Sequence, residues 1–395
     1  MIAVLRETRS NRYTLNTLAA VLEDCGVPWE AAGSPDALAG RLAAASSRGG
    51  LAMALYSFMT PHLGDVAREV RELRGRVPGA RLLAGGPHPS ADPEGTLALG
   101  FDHVFAGESE RTLFEFLGRG AEGPTVLRDP DGGPPDLDGY PPFAGPRFGP
   151  VEVTRGCPYR CGFCAVGGRR VRHRSRAAVL AAAERLRASG RRRVVFVTPD
   201  ALSYGGGLGE LEALLAELRG LGARPSVGSF PSEVRPDRVT PEAVEVLARY
   251  CENGTLVMGA QSGDDAVLRR LGRGHTVADV LRAARVARQG GFTPHVDLIF
   301  GLPEETPAEQ RATIALAKTL RREADARLHA HYFHPLPGTP FWGSDPSPLS
   351  EEARAFLADL RACGAEDGCW PEQERWAWQI VEWSRQGLIR VPRSK

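Results

Sequence analysis

Lysine is almost missing from this chain. Lys318 and Lys395 are the only two, and every other basic residue is arginine. Beside the heavy use of Ala and Gly, this reads as coding bias and carries no conclusion about thermostability. Charge of one sign is also missing: Lys+Arg is 49 against 48 Asp+Glu, a net charge of +1. A protein that grips nucleic acid mainly through phosphates is far more basic. A polynucleotide partner is therefore not expected, and a small-molecule or peptide substrate is. No stretch reaches the roughly 18 apolar residues needed to span a bilayer, which argues against a membrane. The start, MIAVLRETRSNRY, has no apolar run behind a basic segment, so no signal peptide is read and a cytoplasmic location is expected. No repeat of fixed period is present. Cysteine is sparse and odd in number, seven in 395 residues, which excludes a disulfide scaffold.

What is present is an ordinary globular composition, 42% hydrophobic and 25% charged, long enough for two or three domains. Residues 1–120 alternate strand and helix. IAVLRE (2–7), LAMALYSF (51–58), ARLLAGG (80–86) and FDHVFAGES (101–109) are apolar runs of the kind buried on both faces of a parallel sheet. Residues 12–25 and 62–77 have helical apolar spacing, and a helix is expected from Glu110. This predicts an α/β, doubly wound, Rossmann-like domain with a ligand crevice at the strand ends. Residues 121–149, dense in Pro, Gly and Asp, read as an extended interdomain linker. From 150 to 342 the alternation restarts. Strands are expected at 150–156, 192–200, 223–230, 255–263, 293–301 and 328–341, with helices between them. About six βα units fit a partial barrel better than a closed eightfold one. Residues 343–395 read as a helical C-terminal region starting near Ser350. Four of the six tryptophans fall in 370–383, either packed as core or lining a substrate cavity.

The strongest chemical signal is CPYRCGFC, which places Cys157, Cys161 and Cys164 within eight residues after a strand. Three thiolates on one tight loop can hold three irons of a [4Fe–4S] cluster, which normally takes four cysteines, and leave one iron open. A zinc site is the alternative, with His173 as fourth ligand. The loop, with Phe163 just before the last cysteine, resembles the signature of the radical S-adenosylmethionine (SAM) superfamily. The resemblance continues through GAQSGDDAVLRRLGRGHT (259–276), DLIFGLPEET (297–306) and HPLPGTPF (334–341). It implies that the open iron chelates the amino and carboxylate groups of SAM, that reductive cleavage gives a 5′-deoxyadenosyl radical, and that Phe163 lies beside the adenine. An electron donor such as flavodoxin or ferredoxin is implied with it. The glycine-glycine-glutamate motif that receives the SAM amino group in many members is not visible. TPDALSYGG (198–206) stands there, and Asp200 can substitute as acceptor or cap the next helix. Glu233 stands where relatives place a ribose-binding residue. Gln261 and Ser262 end a strand from which polar side chains can reach SAM.

The N-terminal segments YSFMT (56–60), GGPHPSADPE (85–94) and AGESERTLFEFL (106–117) resemble the cobalamin-binding domain that precedes many radical SAM domains. The resemblance carries Ser57, Thr60, Gly85, Gly86, Gly107 and Glu108 over as cobalamin-binding residues. The Asp-x-His-x-x-Gly loop that ligates cobalt in methyl-carrying proteins is absent: ETRSNRYTLN (7–16) has no histidine. The implied function is a cobalamin-dependent radical SAM enzyme that methylates an unactivated carbon. A non-methylating rearrangement, cyclisation or oxidation is the alternative within the family. A non-catalytic cobalamin or redox sensor is the alternative outside catalysis, and a tRNA methylthiotransferase is a further comparison. His329 and His331 alternate on one strand face, where they can bind substrate or relay protons. Cys25 and Cys251 read as ordinary thiols, and Cys363 and Cys369 have no assigned role.

Overall fold

The computed structural model describes residues 1–120, 123–128, 137–145 and 147–393. The chain divides into two units: Met1–Gly149 together with the chain from Glu382 on, and Pro150–Val381.

The first unit is built on six strands: β1 (Ile2–Arg6), β2 (Trp29–Ala32), β3 (Ala52–Ser57), β4 (Arg81–Gly85), β5 (His103–Phe105) and β6 (Thr125–Leu127). They pair in the order β2-β1-β3-β4-β5-β6, all parallel. Every residue of β3 is buried, because helices cover both faces. Helix Arg12–Asp24 packs beside Glu110–Arg119, and helix Pro35–Ser47 beside Leu63–Arg76. Leu15, Leu18 and Leu22 meet Leu5, Leu55, Leu83 and Phe105 in one core. Sequence reading passes over β2 and the helix after it. WEAA is short and only half-buried, so it has no apolar run to betray it. The helix does carry a start signal, since Ser34 accepts the Ala37 N–H at 3.2 Å and proline follows it.

The linker reading needs correction. Residues 125–127 are the edge strand of the first sheet, with Thr125 in register with His103. Phe143 and Ala144 are fully buried, and Arg147 pairs with Glu7 at 2.8 Å. Much of the segment therefore belongs to the first unit. Residues 121–122, 129–136 and 146 of that segment lie outside the described residues.

The second unit holds β7 (Val151–Glu152), β8 (Thr154–Arg155), β9 (Arg172–His173), β10 (Arg193–Val197), β11 (Arg224–Ser226), β12 (Thr255–Gln261), β13 (Thr293–Phe300) and β14 (Arg327–Tyr332). Two parallel sheets, β7-β10-β11 and β12-β13-β14, are linked by the single bridges Thr198↔Ser232 and Val234↔Met258. The result is an open run of six parallel strands, a partial (β/α)6 barrel. The connecting helices start at strong caps. Thr276 with Asp279 and Thr306 with Glu309 form reciprocal capping boxes. The single strand expected at 150–156 is two. After Glu152 the chain leaves the sheet, and Thr154–Arg155 pairs antiparallel with Arg172–His173. Helices Glu351–Ala362 and Trp370–Arg385 follow β14. No helix among the described residues is long and apolar enough to cross a membrane.

Candidate active site

The β8–β9 ribbon is the neck of the cysteine loop. Cys157 bridges to Gly167, Arg169 N–H donates to Cys157 O at 3.1 Å, and Gly168 N–H to Tyr159 O at 2.7 Å. Gly156 (φ +88°) makes the turn into the loop, where a Cβ would strike the Arg170 carbonyl. The loop is also fastened to the barrel. Gly162 N–H donates to Leu271 O, and Phe341 N–H to Gly162 O, both at 2.9 Å.

Cys157, Cys161 and Cys164 therefore sit together on a fixed loop. Desolvation, and after it the proximity of the other two thiols, pushes Cys157 up; desolvation and the nearness of Cys161 do the same to Cys164. Three sulfur donors gathered on one fixed loop are suited to a cation that accepts them all. Val166 N–H points at Cys164 Sγ (3.4 Å) and the Arg273 guanidinium at Cys161 Sγ (3.5 Å), the kind of hydrogen bonding that tunes thiolate-ligated clusters. Arg235 lies over the Tyr159 ring at 3.5 Å, adding a second positive charge beside the loop. The donor set fits three irons of a [4Fe–4S] cluster. His173, the fourth ligand of the zinc alternative, bonds Thr154 Oγ1 through Nδ1 at 3.0 Å, and its ring packs edge-on to Tyr204.

Around Arg273 lies a polar barrel interior. Its Nη2 donates to Gly259 O at 2.8 Å. Gln261 has φ +74° at a bulge, and its side chain folds back over Gly259 beside Arg273. Glu233 and Asp297 keep some accessible surface, yet burial raises both carboxyls. Arg273 and His329 offset this for Glu233, while Glu233 and Asp367 push Asp297 higher still.

The other expected SAM residues are more committed. Phe163 packs against Val267, Leu271, Ile299 and Phe333. Asp200 caps no helix with its side chain. It accepts from Ser203 and pairs with Arg238 at 3.2 Å, and its Oδ1 has no partner. Ser262 is fully buried, bonds Thr313 Oγ1 at 3.3 Å and accepts Asp264 N–H at 3.2 Å, so its hydroxyl braces the turn. His331 is pushed down to about 3 by burial and by its neighbours His329 and His334, with Gln373 bonding its Nδ1 at 3.2 Å. It is a neutral imidazole at any physiological pH.

In the first unit, a shallow cleft opens at the C-terminal ends of β3 and β4, lined by Ser57, Gly85 and Gly86 and floored by Leu18, Leu55 and Leu83. At Gly86 (φ +96°) a Cβ would lie 2.7 Å from Ser57 Oγ and 3.0 Å from Phe58 N. The glycine is thus required by its own neighbours as well as by any ligand. An apolar floor and a glycine rim at parallel strand ends suit the nucleotide tail of cobalamin. Thr60, Gly107 and Glu108 do not line the cleft. Thr60 bonds the buried His88 at 3.1 Å, and Gly107 N–H donates to Ser90 at 2.9 Å. Asn11 fastens the 7–11 loop to Arg6 O and Ser57 O, where the cobalt-ligating histidine of other proteins would stand.

Arg273 and Asp297 were within reach of sequence reading, since both lie inside quoted motifs. Asp367 carried no signal: it reaches the site through a loop that bridges Leu328 to Glu366.

Comparison with known proteins agrees with this division. The radical SAM superfamily model matches residues 151–317, and the B12-binding domain model residues 8–117. A radical SAM domain takes a [4Fe–4S] cluster and SAM, and a B12-binding domain takes cobalamin. The methyltransferase TsrM from Kitasatospora setae, solved with cobalamin and a [4Fe–4S] cluster, superposes with a TM-score of 0.64 at 20% identity, over 86% of this chain and 76% of that one. The cobalamin-dependent SAM radical enzyme OxsB superposes with a TM-score of 0.58 at 18% identity, over 80% and 51%. These likenesses establish the fold. The tRNA-2-methylthio-N(6)-dimethylallyladenosine synthase of Halorhodospira halophila is 30% identical over 66% of this chain and 57% of its own length. The chain spans about half the length of the curated relatives it matches.

Proposed function

We propose that this chain, a radical SAM superfamily member with an N-terminal B12-binding domain, is a cobalamin-dependent methyltransferase acting on an unactivated carbon of a small-molecule or peptide substrate. One observation carries the reading: a three-cysteine loop suited to an open-iron cluster and a glycine-rimmed, B12-type crevice occur in one chain. When bound, the cluster with SAM supplies one-electron cleavage of the sulfonium, and cobalamin supplies a methyl carrier. The TsrM structures carry a tryptophan substrate in one case, which supports a compact substrate here. A low-potential donor such as flavodoxin or ferredoxin would deliver the electron.

The chain's own residues divide the work. Cys157, Cys161 and Cys164 bind the cluster, and Arg273 orients Cys161 while placing positive charge beside it. Phe163 contributes an apolar wall. Glu233, Gln261 and the free Oδ1 of Asp200 offer acceptors for the hydroxyl and ammonium groups of SAM. Gly85 and Gly86 let a bulky ligand approach the backbone.

The methylthiotransferase relatives share the barrel motifs. The first unit of this chain, however, has a single cysteine, Cys25, and no set that could hold a second cluster there. The reading is tested with methyl-labelled SAM and cobalamin-loaded protein under anaerobic reduction. Label is expected in the corrinoid fraction and then in product. Label confined to SAM and its sulfur-containing products would remove methyl transfer and leave the non-methylating alternative.

A further inference from the structure

The β13–β14 half of the barrel carries a second group of ligating side chains, separate from the cysteine loop. His295 lies on β13 and His329 on β14, and the register pairs Asp297 with His329. His295 is thus diagonal to His329 on the same face, since both are even steps from Asp297's row. Their rings are 5.8 Å apart, centre to centre. Asp367 comes from the loop after helix Glu351–Ala362. That loop runs along β14 like a further strand, with Leu328 bridged to Glu366 and Leu328 N–H donating to Ala365 O at 3.1 Å. Glu366 locks it by accepting both Ala330 N–H (3.1 Å) and Gly368 N–H. Asp367 Oδ1 then stands 2.7 Å from His329 Nδ1 and 3.2 Å from His295 Nε2.

We propose that His295, His329 and Asp367 form a binding site for one Zn²⁺ ion, with a coordination position left open for an oxygen or nitrogen donor from solvent or substrate. The three ligand atoms lie within 4.8 Å of one another. Metal–ligand bonds of about 2.0–2.1 Å in tetrahedral geometry put ligand atoms about 3.3 Å apart. The two nitrogen–oxygen separations on the page are within about 0.6 Å of that value. Two imidazoles with one carboxylate is a ligand set found in catalytic zinc sites, which keep a position free, and not in structural ones. Two further carboxyls adjoin the triad: Asp297 is in register with His329, and Glu366 precedes Asp367 in the chain. The side chain of Asp367 is 43% accessible, so the triad can be reached from solvent.

The test is zinc stoichiometry and affinity on the full chain, using Zn²⁺ alone as probe. It is run on the cluster-reconstituted protein and on the C157A/C161A/C164A variant, which cannot hold zinc on the cysteine loop. One Zn²⁺ per chain is expected in both, with a first shell of nitrogen and oxygen by X-ray absorption. H295Q, H329Q and D367N should each weaken zinc by at least about 100-fold, more than loss of an outer-shell partner does. H331Q, a neighbour outside the ligand set with its ring 4.5 Å from His329, should leave zinc bound. D367N keeps the size and one oxygen of Asp367, which guards against loss through misfolding. Zinc that disappears with the cysteines, a sulfur-containing shell in the cysteine variant, or affinity unchanged by all three ligand substitutions would overturn the site.

Discussion

Gly86→Ala tests whether the crevice rim is as tight as its geometry implies, and Gly107→Ala is its control. Both glycines have positive φ, +96° and +101°. Alanine in that region costs roughly 1–2 kcal/mol at either position. They differ in space. A Cβ at Gly107 meets nothing within 4 Å, whereas one at Gly86 meets Ser57 Oγ at 2.7 Å, Phe58 N at 3.0 Å and Phe58 O at 3.2 Å. Two of those three atoms are backbone and cannot rotate away, so overpacking adds roughly 1–3 kcal/mol. Because the chain has two units, a single unfolding free energy is not the right readout. Hydrogen exchange of β3 and β4 reports the opening of this sheet directly. Exchange there is expected to accelerate about 5–150-fold more in G86A than in G107A, the equivalent of that added cost. The double variant S57A/G86A should recover part of the loss, since the backbone contacts persist. Equal acceleration in G86A and G107A, or full rescue by S57A, would refute the close-approach argument.

Glu305 gives a pH prediction. Burial pushes its carboxyl up from 4.5 to about 7, against the opposing N–H groups of Gly301 and Leu302 and the Gln310 side chain. Between those values the folded chain holds a proton that the unfolded chain has lost, so stability falls as pH rises through the window, by about 3 kcal/mol in all. E305Q should remove most of that slope, read as the difference from wild type in hydrogen exchange of β13 at pH 5 and pH 8; parallel pH profiles would contradict it. Arg273→Met removes the guanidinium that faces Cys161 Sγ at 3.5 Å. Loss of one charge-assisted bond worth about 1.5 kcal/mol should lower the cluster potential by on the order of 60 mV for one electron, measured by EPR-monitored titration. No shift, or a rise, would show that Arg273 serves only the Gly259 carbonyl.

Much of the fold was legible because parallel strands buried on both faces leave continuous apolar runs. AMALYS and the alternating HVDLIF segment announce themselves in that way. Short edges do not: WEAA and TVL are too brief and too exposed to stand out. The TVL strand was hidden further inside a segment whose Pro and Gly content reads as linker. The cysteine triad was legible because its three ligands are local in sequence. The polar interior was only half legible. Glu233 is marked by the family resemblance, Gln261 by a strand end and His329 by strand alternation. Their partners Arg273 and Asp297 acquire meaning only when three strands and a loop converge. Asp367 was beyond reach, because its contact with His329 is 38 residues distant and depends on a loop mimicking a strand. Ser262 is the converse case, a polar residue at a strand end whose hydroxyl bonds Thr313 and the Asp264 amide.

The account stands most directly on the three cysteines as the ligands of a SAM-cleaving cluster. The decisive measurement is 5′-deoxyadenosine released from SAM by the anaerobically reconstituted chain with a low-potential reductant. Wild type is expected to form it, and C157A, C161A and C164A each to bind less iron and form none above background. Deoxyadenosine formation that survives in any of the three variants, or none from a wild type with an intact cluster, would contradict the assignment.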